Sequence, residues 1–177
     1  MNGMYRIALG AALTATLASV PAGARAQGTL GSDAAACAAG APAIQANISG
    51  LKDRKGELKL ELYPATEEDF LKDDRDLIAA GKTFRRVRVP TPASGATSLC
   101  IRVPRPGRYA LLFTHDRDGK NKFNFWSDGA GFPSNVKLGR QRPKLKEALI
   151  DVGNGVAVTN IRAQYLRGLG GFGPVGD

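Results

Sequence analysis

The chain has 177 residues, with 25 Lys and Arg against 16 Asp and Glu, and a formal net charge of +9. That length is enough for one domain with a real hydrophobic core. The single histidine excludes a multi-histidine metal site and argues against a zinc site.

Residues 1–26 have the pattern of a secretory signal peptide. Arg6 supplies a short positive region, Ile7–Val20 is apolar and uncharged, and Ala24-Arg25-Ala26 offers a small-x-small cleavage pattern. The apolar run is short for a bilayer span, which favours a cleaved signal over a retained membrane anchor. We therefore expect a periplasmic or secreted protein with no transmembrane segment after cleavage. Removal of the two signal arginines leaves 23 cations against 16 acids, a net charge of +7.

Apolar and polar residues alternate through most of the remaining chain, which is typical of half-buried strands. The segment 58–63 is the clearest case, with leucine at every second position. Polar turns at 52–56 and at Gly153–Gly155 predict hairpins between the strands that flank them. The predicted strands are residues 44–49, 58–63, 84–89, 99–103, 108–116, 148–152 and 156–162.

Thr66, followed by three acidic residues, predicts the start of a short helix that ends at Gly81. About seven strands with frequent turns and one helical insertion predict an all-β fold, a single antiparallel β-sandwich over residues 43–166. Residues 27–42 and 167–177 are rich in small residues and lack a periodic pattern. They predict a flexible leader and a Gly-rich tail.

Cys37 and Cys100 are the only cysteines, so only one intramolecular disulfide is possible. Export into an oxidising compartment favours this disulfide. Cys100 lies on the face of its predicted strand opposite to Leu99 and Ile101, where it can hold down the segment that contains Cys37. Two buried free thiols or a redox site are the alternative, and the lack of a C-x-x-C motif argues against it.

The most informative segment is the loop from His115 to Asn135, which combines an acidic turn, several aromatic residues and a Gly-rich turn. Long loops on a rigid scaffold often carry function. The aromatic residues predict either a small satellite core, which is favoured, or an exposed platform for a carbohydrate or peptide. The candidate ligand-binding residues are Asn124, Trp126, Asp128, Phe132 and Asn135, and the residues expected to structure the loop are His115, Asp116, Asp118 and Asn121.

Four short motifs occur in series: PGRYA from Pro106, FTHD from Phe113, GF at Gly131 and SN at Ser134. This series resembles the bacterial family called domain of unknown function 2141, and the resemblance covers residues 44–161. The resemblance implies an exported protein with a transthyretin-like or immunoglobulin-like sandwich. It implies no particular activity.

Members of that family often carry a loop that resembles Asp-x-Asn-x-Asn-Gly, which is close to a calcium loop. A calcium loop needs oxygen ligands at alternating positions and a sharp turn at the sixth. Here Asp116 and Asp118 stand at the first and third positions, but Lys120 brings a cation to the fifth and Asn121 replaces the glycine. A calcium site formed by Asp116, Asp118 and Asn124 is therefore the weaker alternative to a self-hydrogen-bonded Asx turn. We predict no metal and no cofactor.

The chain contains no serine-hydrolase motif, phosphate-binding loop or Cys-His pattern. His115 and Asp116 are neighbours on a predicted strand, so their side chains point to opposite faces and form a poor acid/base pair. Paired carboxylates from Asp116, Asp118 and Asp128 would suit glycan hydrolysis, but acidic residues in loops more often form turns. We therefore predict a non-catalytic protein, with a carboxylate-dependent glycan hydrolase as a weaker alternative.

Basic residues concentrate in Thr83–Arg88 and in Lys137–Lys146. In an exported protein such patches favour an anionic envelope component, such as lipopolysaccharide, an acidic glycan or a lipid surface, over nucleic acid. Ordinary solvated faces that aid solubility are the plainer alternative. We predict a cell-envelope binding or accessory module that uses the 115–135 loop. The alternative is a structural or assembly protein that pairs through a sheet edge.

Overall fold

The computed structural model describes residues 28–176, and the predicted signal peptide lies outside them. Strands dominate this part of the chain. They are β1 (Ala43–Ser49), β2 (Glu57–Pro64), β3 (Arg85–Pro90), β4 (Thr97–Arg102), β5 (Gly107–Asp116), β6 (Gly129–Gly131), β7 (Leu149–Val152), β8 (Val156–Arg162), β9 (Gln164–Leu166) and β10 (Phe172–Pro174). The short helices are α1 (Ala34–Ala38), α2 (Asp74–Ala79) and α3 (Leu145–Ala148), and a 3-10 turn covers Gly168–Gly170.

The strands form one sheet of three strands and one of seven. The small sheet has the order β4-β1-β8, and the large sheet has the order β10-β9-β6-β5-β2-β3, with β7 beside the first half of β5. Neighbouring strands are antiparallel except β1 and β8, which run parallel. The prediction of an all-β sandwich is confirmed, and this parallel pair departs from a purely antiparallel arrangement.

The two predicted hairpins are wrong, because each polar turn leads the chain from one sheet to the other. β1 pairs with β4 and β8, whereas β2 pairs with β3 and β5. In the same way, β7 pairs with β5 while β8 pairs with β1. Alternation shows which face of a strand is buried, but it does not show which strand lies beside it.

The main core lies between the two sheets. Leu58, Leu60 and Leu62 of β2 are fully buried in it, together with Ile44 of β1 and Phe113 of β5. Every second residue of these strands points into the core between the sheets, as the alternation of apolar and polar residues in the sequence predicts. The core therefore supports the seven-stranded sheet from its inner side.

The outer face of the seven-stranded sheet is covered as well. Lys59, Glu61 and Tyr63 alternate with the β2 leucines, yet they are also buried. The cover consists of α2, α3 and the connecting loops, which form a second apolar cluster on this face. Its buried members are Tyr63, Phe70, Leu77, Ala110, Phe132, Leu145 and Ala148.

The predicted flexible leader differs from the structure. Leu30 forms a bridge to Leu99 of β4, and α1 follows within residues 34–38. Cys37 and Cys100 form the predicted disulfide, with their Cα atoms 6.1 Å apart. The segment lacks periodicity because a covalent bond and one strand bridge hold it in place, and neither needs an amphipathic pattern.

The predicted Gly-rich tail also differs, because Phe172 in β10 pairs with Leu166 in β9. The predicted helix over residues 66–81 is shorter in the structure and covers only Asp74–Ala79. Its N-cap is Asp73, whose carboxylate accepts the Arg75 backbone N–H at 2.9 Å. The acidic residues after Thr66 form a turn instead of the first helical turn.

The short strand β6 lies within the segment that the sequence predicts as a loop, and two of its three residues are glycine. A Cβ on Gly129 would lie 2.5 Å from Cε1 of Tyr165, and one on Gly131 would lie 2.6 Å from Cγ2 of Ile161. These positions therefore require glycine, because the Tyr165 and Ile161 side chains approach the backbone closely.

No helix within residues 28–176 is long and apolar enough to cross a membrane.

Candidate functional site

The acidic turn at the start of the 115–135 loop is held by its own hydrogen bonds. The Asp116 carboxylate accepts the backbone N–H groups of Gly119 at 2.8 Å and Asn121 at 2.9 Å. It also forms a buried ion pair with the Lys59 ammonium group of β2. Asn121 adopts a positive φ of 62°, which Asn tolerates better than most residues. The turn is therefore fastened to the outer face of the sheet.

The second half of the loop is organised around Asp128, which is buried. Its carboxylate accepts the backbone N–H groups of Arg117 at 3.0 Å and Asn124 at 2.8 Å, and the Ser127 hydroxyl at 2.9 Å. The Asn124 amide is used internally too, because its Nδ2 donates to Asp118 at 3.0 Å and its Oδ1 accepts the Trp126 N–H at 3.1 Å. The Asn124 amide and the Asp128 carboxylate, which the sequence predicts as ligand-binding groups, therefore form hydrogen bonds within the loop.

The structure brings the carboxylates of Asp116, Asp118 and Asp128 together, with oxygen atoms within 4.8 Å of one another. A calcium ion does not fit these groups as they stand. Asp116 and Asp128 already accept backbone N–H groups, the Lys59 ammonium lies on Asp116, and Lys120 Nζ lies 3.5 Å from Asp118. The hydrogen bond from Asn124 lowers the pKa of Asp118. These contacts are typical of a turn whose carboxylates form their hydrogen bonds and ion pairs within the protein.

His115 is fully buried at the end of β5. Its Nδ1 lies 2.7 Å from the Tyr165 hydroxyl and its Nε2 lies 2.7 Å from the Lys55 carbonyl oxygen. Burial lowers the pKa of His115 because the charged ring would lose its hydration. Asp116 is not one of its partners, so the ring anchors the loop from the side of β9.

The aromatic residues of the loop are divided between the interior and the surface. Phe132 is 2% exposed and packs edge to face against Phe70, whereas Trp126 is 80% exposed. Phe123 and Phe125 are partly exposed and contact Phe172 of β10, with ring centroids 6.0 and 4.9 Å apart. Part of the loop is therefore a satellite core and part is an exposed aromatic surface.

Asn135 lies apart from the other candidate residues. Its side-chain amide binds the outer edge of β8, where Nδ2 donates to the Asn160 carbonyl at 2.7 Å and Oδ1 accepts the Arg162 N–H at 2.6 Å. A side-chain amide that donates through its nitrogen and accepts through its oxygen makes the same hydrogen bonds to a strand edge as the backbone of one residue in a neighbouring strand. Asn135 therefore covers part of an open sheet edge and does not join the other four residues.

A cavity of about 500 Å³ lies over the outer face of the seven-stranded sheet, beneath the loop. We call it the outer-face cavity. Residues of β2 and β5 line it, together with residues of the 115–135 loop, residues 138–143 and Phe172. Its apolar lining includes Leu71, Leu112, Phe123, Phe125, Phe132, Leu138 and Phe172.

The cations around the outer-face cavity differ in their partners. Lys59 is paired with Asp116, and Arg86 is paired with Glu61 and Asp74. The Tyr63 hydroxyl donates to Glu61 at 2.8 Å, and burial raises the pKa of Tyr63. Arg85 and Arg86 of the 83–88 patch thus serve internal ion pairs, since Arg85 also binds Asp33.

The 138–143 wall is different, because its arginines are exposed. Arg142 donates to the Phe70 carbonyl at 3.2 Å, and the Arg140 guanidinium has no hydrogen-bond partner among residues 28–176. Sequence reasoning found the basic run that contains these arginines but not the cavity beside them. Phe172 was missed because it lies in a Gly-rich segment far along the chain.

Comparison with known proteins identifies a family. No curated protein and no solved structure matches the chain significantly. A family model described as an uncharacterized protein conserved in bacteria matches residues 46–160, which is more than half of the chain. The resemblance seen in the sequence motifs is confirmed, and the chain belongs to the bacterial family called domain of unknown function 2141.

Proposed function

We propose that this protein is a non-catalytic binding module of the bacterial cell envelope, which holds an amphipathic anion in the outer-face cavity. The observation that carries the proposal is the cavity itself, with a volume of about 500 Å³, aromatic walls and arginines at its rim. Sites for small molecules are concave, mostly apolar and roughly 300–1,000 Å³ in volume. The site therefore lies beneath the 115–135 loop.

The apolar part of the ligand would lie among aromatic and aliphatic side chains. The aromatic and aliphatic lining includes Leu112, Phe123, Phe125, Phe132 and Phe172. Phe172 fixes the other two phenylalanine rings through direct contacts. Pre-formed apolar walls favour an alkyl chain or an aromatic ring, because such groups bury area without leaving polar atoms unpaired.

The charged part of the ligand would lie at the 138–143 wall. Arg140 and Arg142 offer guanidinium groups there, and a guanidinium can bind a carboxylate or phosphate through two parallel hydrogen bonds. Glu61 is the one acidic residue of the lining, and Arg86 neutralises it. The charge balance therefore favours an anion over a cation.

An envelope location fits the chemistry of the chain. The Cys37–Cys100 disulfide is typical of oxidising compartments outside the cytoplasm. The signal-peptide pattern of residues 1–26 predicts the same route, to the periplasm or the medium. An anionic component of the envelope, such as a fatty acid, a phospholipid or an acylated glycan, has both an apolar part for the aromatic lining and an anionic part for the arginines.

A glycan hydrolase receives less support than a binding module. Asp116, Asp118 and Asp128 do not line the outer-face cavity, and each accepts hydrogen bonds from the loop. A nucleophile or acid for glycoside hydrolysis has to face its substrate. Assembly through the β8 edge is weakened by Asn135, which occupies part of that edge.

Binding can be tested with anilinonaphthalene sulfonate, an aromatic anion whose fluorescence rises in apolar sites. The probe is titrated into residues 27–177, the predicted mature chain, and dodecanoate is then added as a competitor. We expect saturable binding of one probe per chain that dodecanoate displaces. A signal that does not saturate, or that dodecanoate leaves unchanged, contradicts the proposal.

Two variants locate the binding site. Ala130→Phe places a ring in the cavity, where Ala130 of β6 forms part of the lining, and should abolish probe binding. Replacement of both Arg140 and Arg142 by Gln should weaken it about tenfold or more, the effect of losing one charged hydrogen bond. Arg105→Gln, at an exposed position outside the lining, is the matched control. Equal affinity in all three variants would exclude the cavity.

A further inference from the structure

The 115–135 loop presents a rigid aromatic surface to solvent. We call Phe123, Phe125 and Trp126 the aromatic tip. Trp126 is 80% exposed, and the two phenylalanines are 46% and 44% exposed. Their rings form a continuous series, because Phe125 contacts Trp126 edge to face at 5.9 Å and contacts Phe172 at 4.9 Å. Clustered large apolar side chains on a surface commonly mark an interaction site.

The loop backbone holds the aromatic tip in place. Asp128 accepts the Asn124 N–H, and Asn124 accepts the Trp126 N–H, so both ends of the tip are bonded to buried or partly buried groups. The backbone that carries the exposed rings is therefore fixed by the folded loop. A fixed surface loses little conformational freedom when it binds.

The surroundings of the aromatic tip are strongly basic. Residues 115–146 contain eight Lys and Arg and three acidic residues, Asp116, Asp118 and Asp128, which gives a net charge of +5. Asp128 is buried and its carboxylate is used by the loop. Lys122 directly precedes Phe123, and Lys137 lies beside β10, where a Cβ on Gly173 would be 3.5 Å from its Cε. Cations therefore lie next to the aromatic tip along the chain and beside the strand that contains Phe172.

We propose that the aromatic tip inserts into the headgroup region of an anionic phospholipid bilayer, with the surrounding lysines and arginines on the lipid phosphates. Exposed Trp and Phe side chains among cations are the combination that binds peripheral proteins to such surfaces. The charge complements an anionic leaflet, and the apolar rings complement the boundary of the acyl chains.

A soluble acidic glycan fits the same surface less well. Sugar platforms place hydrogen-bonding groups beside an aromatic ring. Here the polar groups next to Trp126 are consumed, because both amide atoms of Asn124 and both carboxylate oxygens of Asp128 have partners within the loop. Rings that are flanked by cations, and whose amide and carboxylate neighbours are already hydrogen-bonded, favour a lipid surface.

The inference rests on the proposed envelope location, but it does not require that the outer-face cavity be occupied. Trp126 is the only tryptophan of the chain, so its fluorescence reports on the tip alone. Residues 27–177 are mixed with vesicles of phosphatidylglycerol and phosphatidylethanolamine, and with phosphatidylcholine vesicles for comparison. We expect a blue shift of the emission and quenching by lipids brominated on their acyl chains, with the anionic vesicles only.

Co-sedimentation with the same vesicles measures the affinity of variants. Trp126→Ser should weaken binding about tenfold, since it removes the most exposed ring of the tip. Val158→Ser is the matched control, because Val158 is 61% exposed on β8 in the other sheet, and it should bind like the parent. Equal binding of Trp126→Ser and the parent, or an emission spectrum that anionic vesicles leave unchanged, overturns the proposal.

The two proposals can fail separately. Ala130→Phe should lose the fluorescent probe and keep its affinity for vesicles, whereas Trp126→Ser should bind vesicles about tenfold more weakly and keep its affinity for the probe. Heparin, a soluble polyanion without acyl chains, serves as the glycan comparison. If heparin competes fully with vesicles while the Trp126 emission stays unshifted, the surface is an electrostatic site for glycans and the membrane proposal is wrong.

Discussion

Tyr165 and His115 are joined by a hydrogen bond of 2.7 Å that fixes the tautomer of the imidazole. Nε2 lies 2.7 Å from the Lys55 carbonyl oxygen, and a carbonyl can only accept, so Nε2 carries the proton. Nδ1 of the neutral ring then accepts the phenolic proton. The same hydroxyl accepts the Lys52 N–H at 3.1 Å. Burial raises the pKa of Tyr165 to about 12, so the phenol keeps its proton at physiological pH.

This relationship predicts a loss of stability in mild acid. Burial lowers the pKa of folded His115, whereas the unfolded residue keeps an ordinary pKa of about 6.5. The unfolded chain therefore binds the proton more readily. The contribution to stability is complete above about pH 6.5 and is lost as the pH falls through the folded pKa. Urea unfolding at a series of pH values should show this slope, and His115→Gln should flatten it.

The histidine is also a direct spectroscopic reporter. Because the chain has only one histidine, the imidazole nitrogen shifts of untagged protein report on His115 alone. We expect the Nε2–H form at neutral pH and no titration near pH 6.5, the ordinary value. Tyr165→Phe should cost about 1–3 kcal/mol of unfolding free energy, because it leaves Nδ1 and the Lys52 N–H unpaired. An Nδ1–H signal would contradict the assigned hydrogen bonds.

The positions of the strands could be predicted more fully than their partners. The alternation in residues 58–63 located β2 because one face of it lies in the main core. It did not predict that Lys59 and Glu61 are buried too, since their partners come from distant segments. Asp116 lies 57 residues after Lys59 along the chain. A single sequence carries little information on such pairings.

The candidate site was predicted in part for the same reason. The sequence located the 115–135 loop, but of the five candidate residues in it only Phe132 lines the outer-face cavity. Asn135 was grouped with them by proximity along the chain, although its amide binds β8. The far wall of the cavity depends on Phe172, which pairs with β9 through a segment too rich in glycine to predict a strand.

Removal of Lys59 is expected to destabilise the protein strongly. The Lys59 and Asp116 side chains are 5% and 1% exposed, so Lys59→Met leaves a buried carboxylate without its cation. We expect a loss of about 3–5 kcal/mol of unfolding free energy, measured by urea unfolding. Lys120→Met is the control, because its exposed side chain should contribute less than about 0.5 kcal/mol. Equal losses in the two variants would contradict a structural ion pair.

The disulfide is expected to contribute a similar amount. It joins α1 to β4 across 63 positions, and the chain-entropy model assigns such a loop about 4 kcal/mol. Simultaneous Cys37→Ala and Cys100→Ala should lower the unfolding free energy by that amount. Dithiothreitol should produce the same loss in the parent and none in the double variant. An effect of dithiothreitol on the double variant would show that the reductant acts elsewhere.

The amide of Asn135 is expected to limit self-association through β8. It binds the Asn160 carbonyl and the Arg162 N–H, which face away from β1, and unpaired groups on a sheet edge recruit other strands. Asn135 has a φ of +54°, so Asn135→Gly removes the amide while it preserves the backbone conformation. Light scattering after size-exclusion chromatography should show stronger concentration-dependent association of this variant than of the parent.

A second substitution identifies the edge responsible. Val158 lies on β8 and is exposed, and a lysine there should oppose strand pairing because edge charges repel a second copy. Val158→Lys in the Asn135→Gly background should therefore restore the association state of the parent. If the double variant still associates, the new contact lies on another surface. If Asn135→Gly behaves like the parent from the start, the amide serves only to hold the loop against β8.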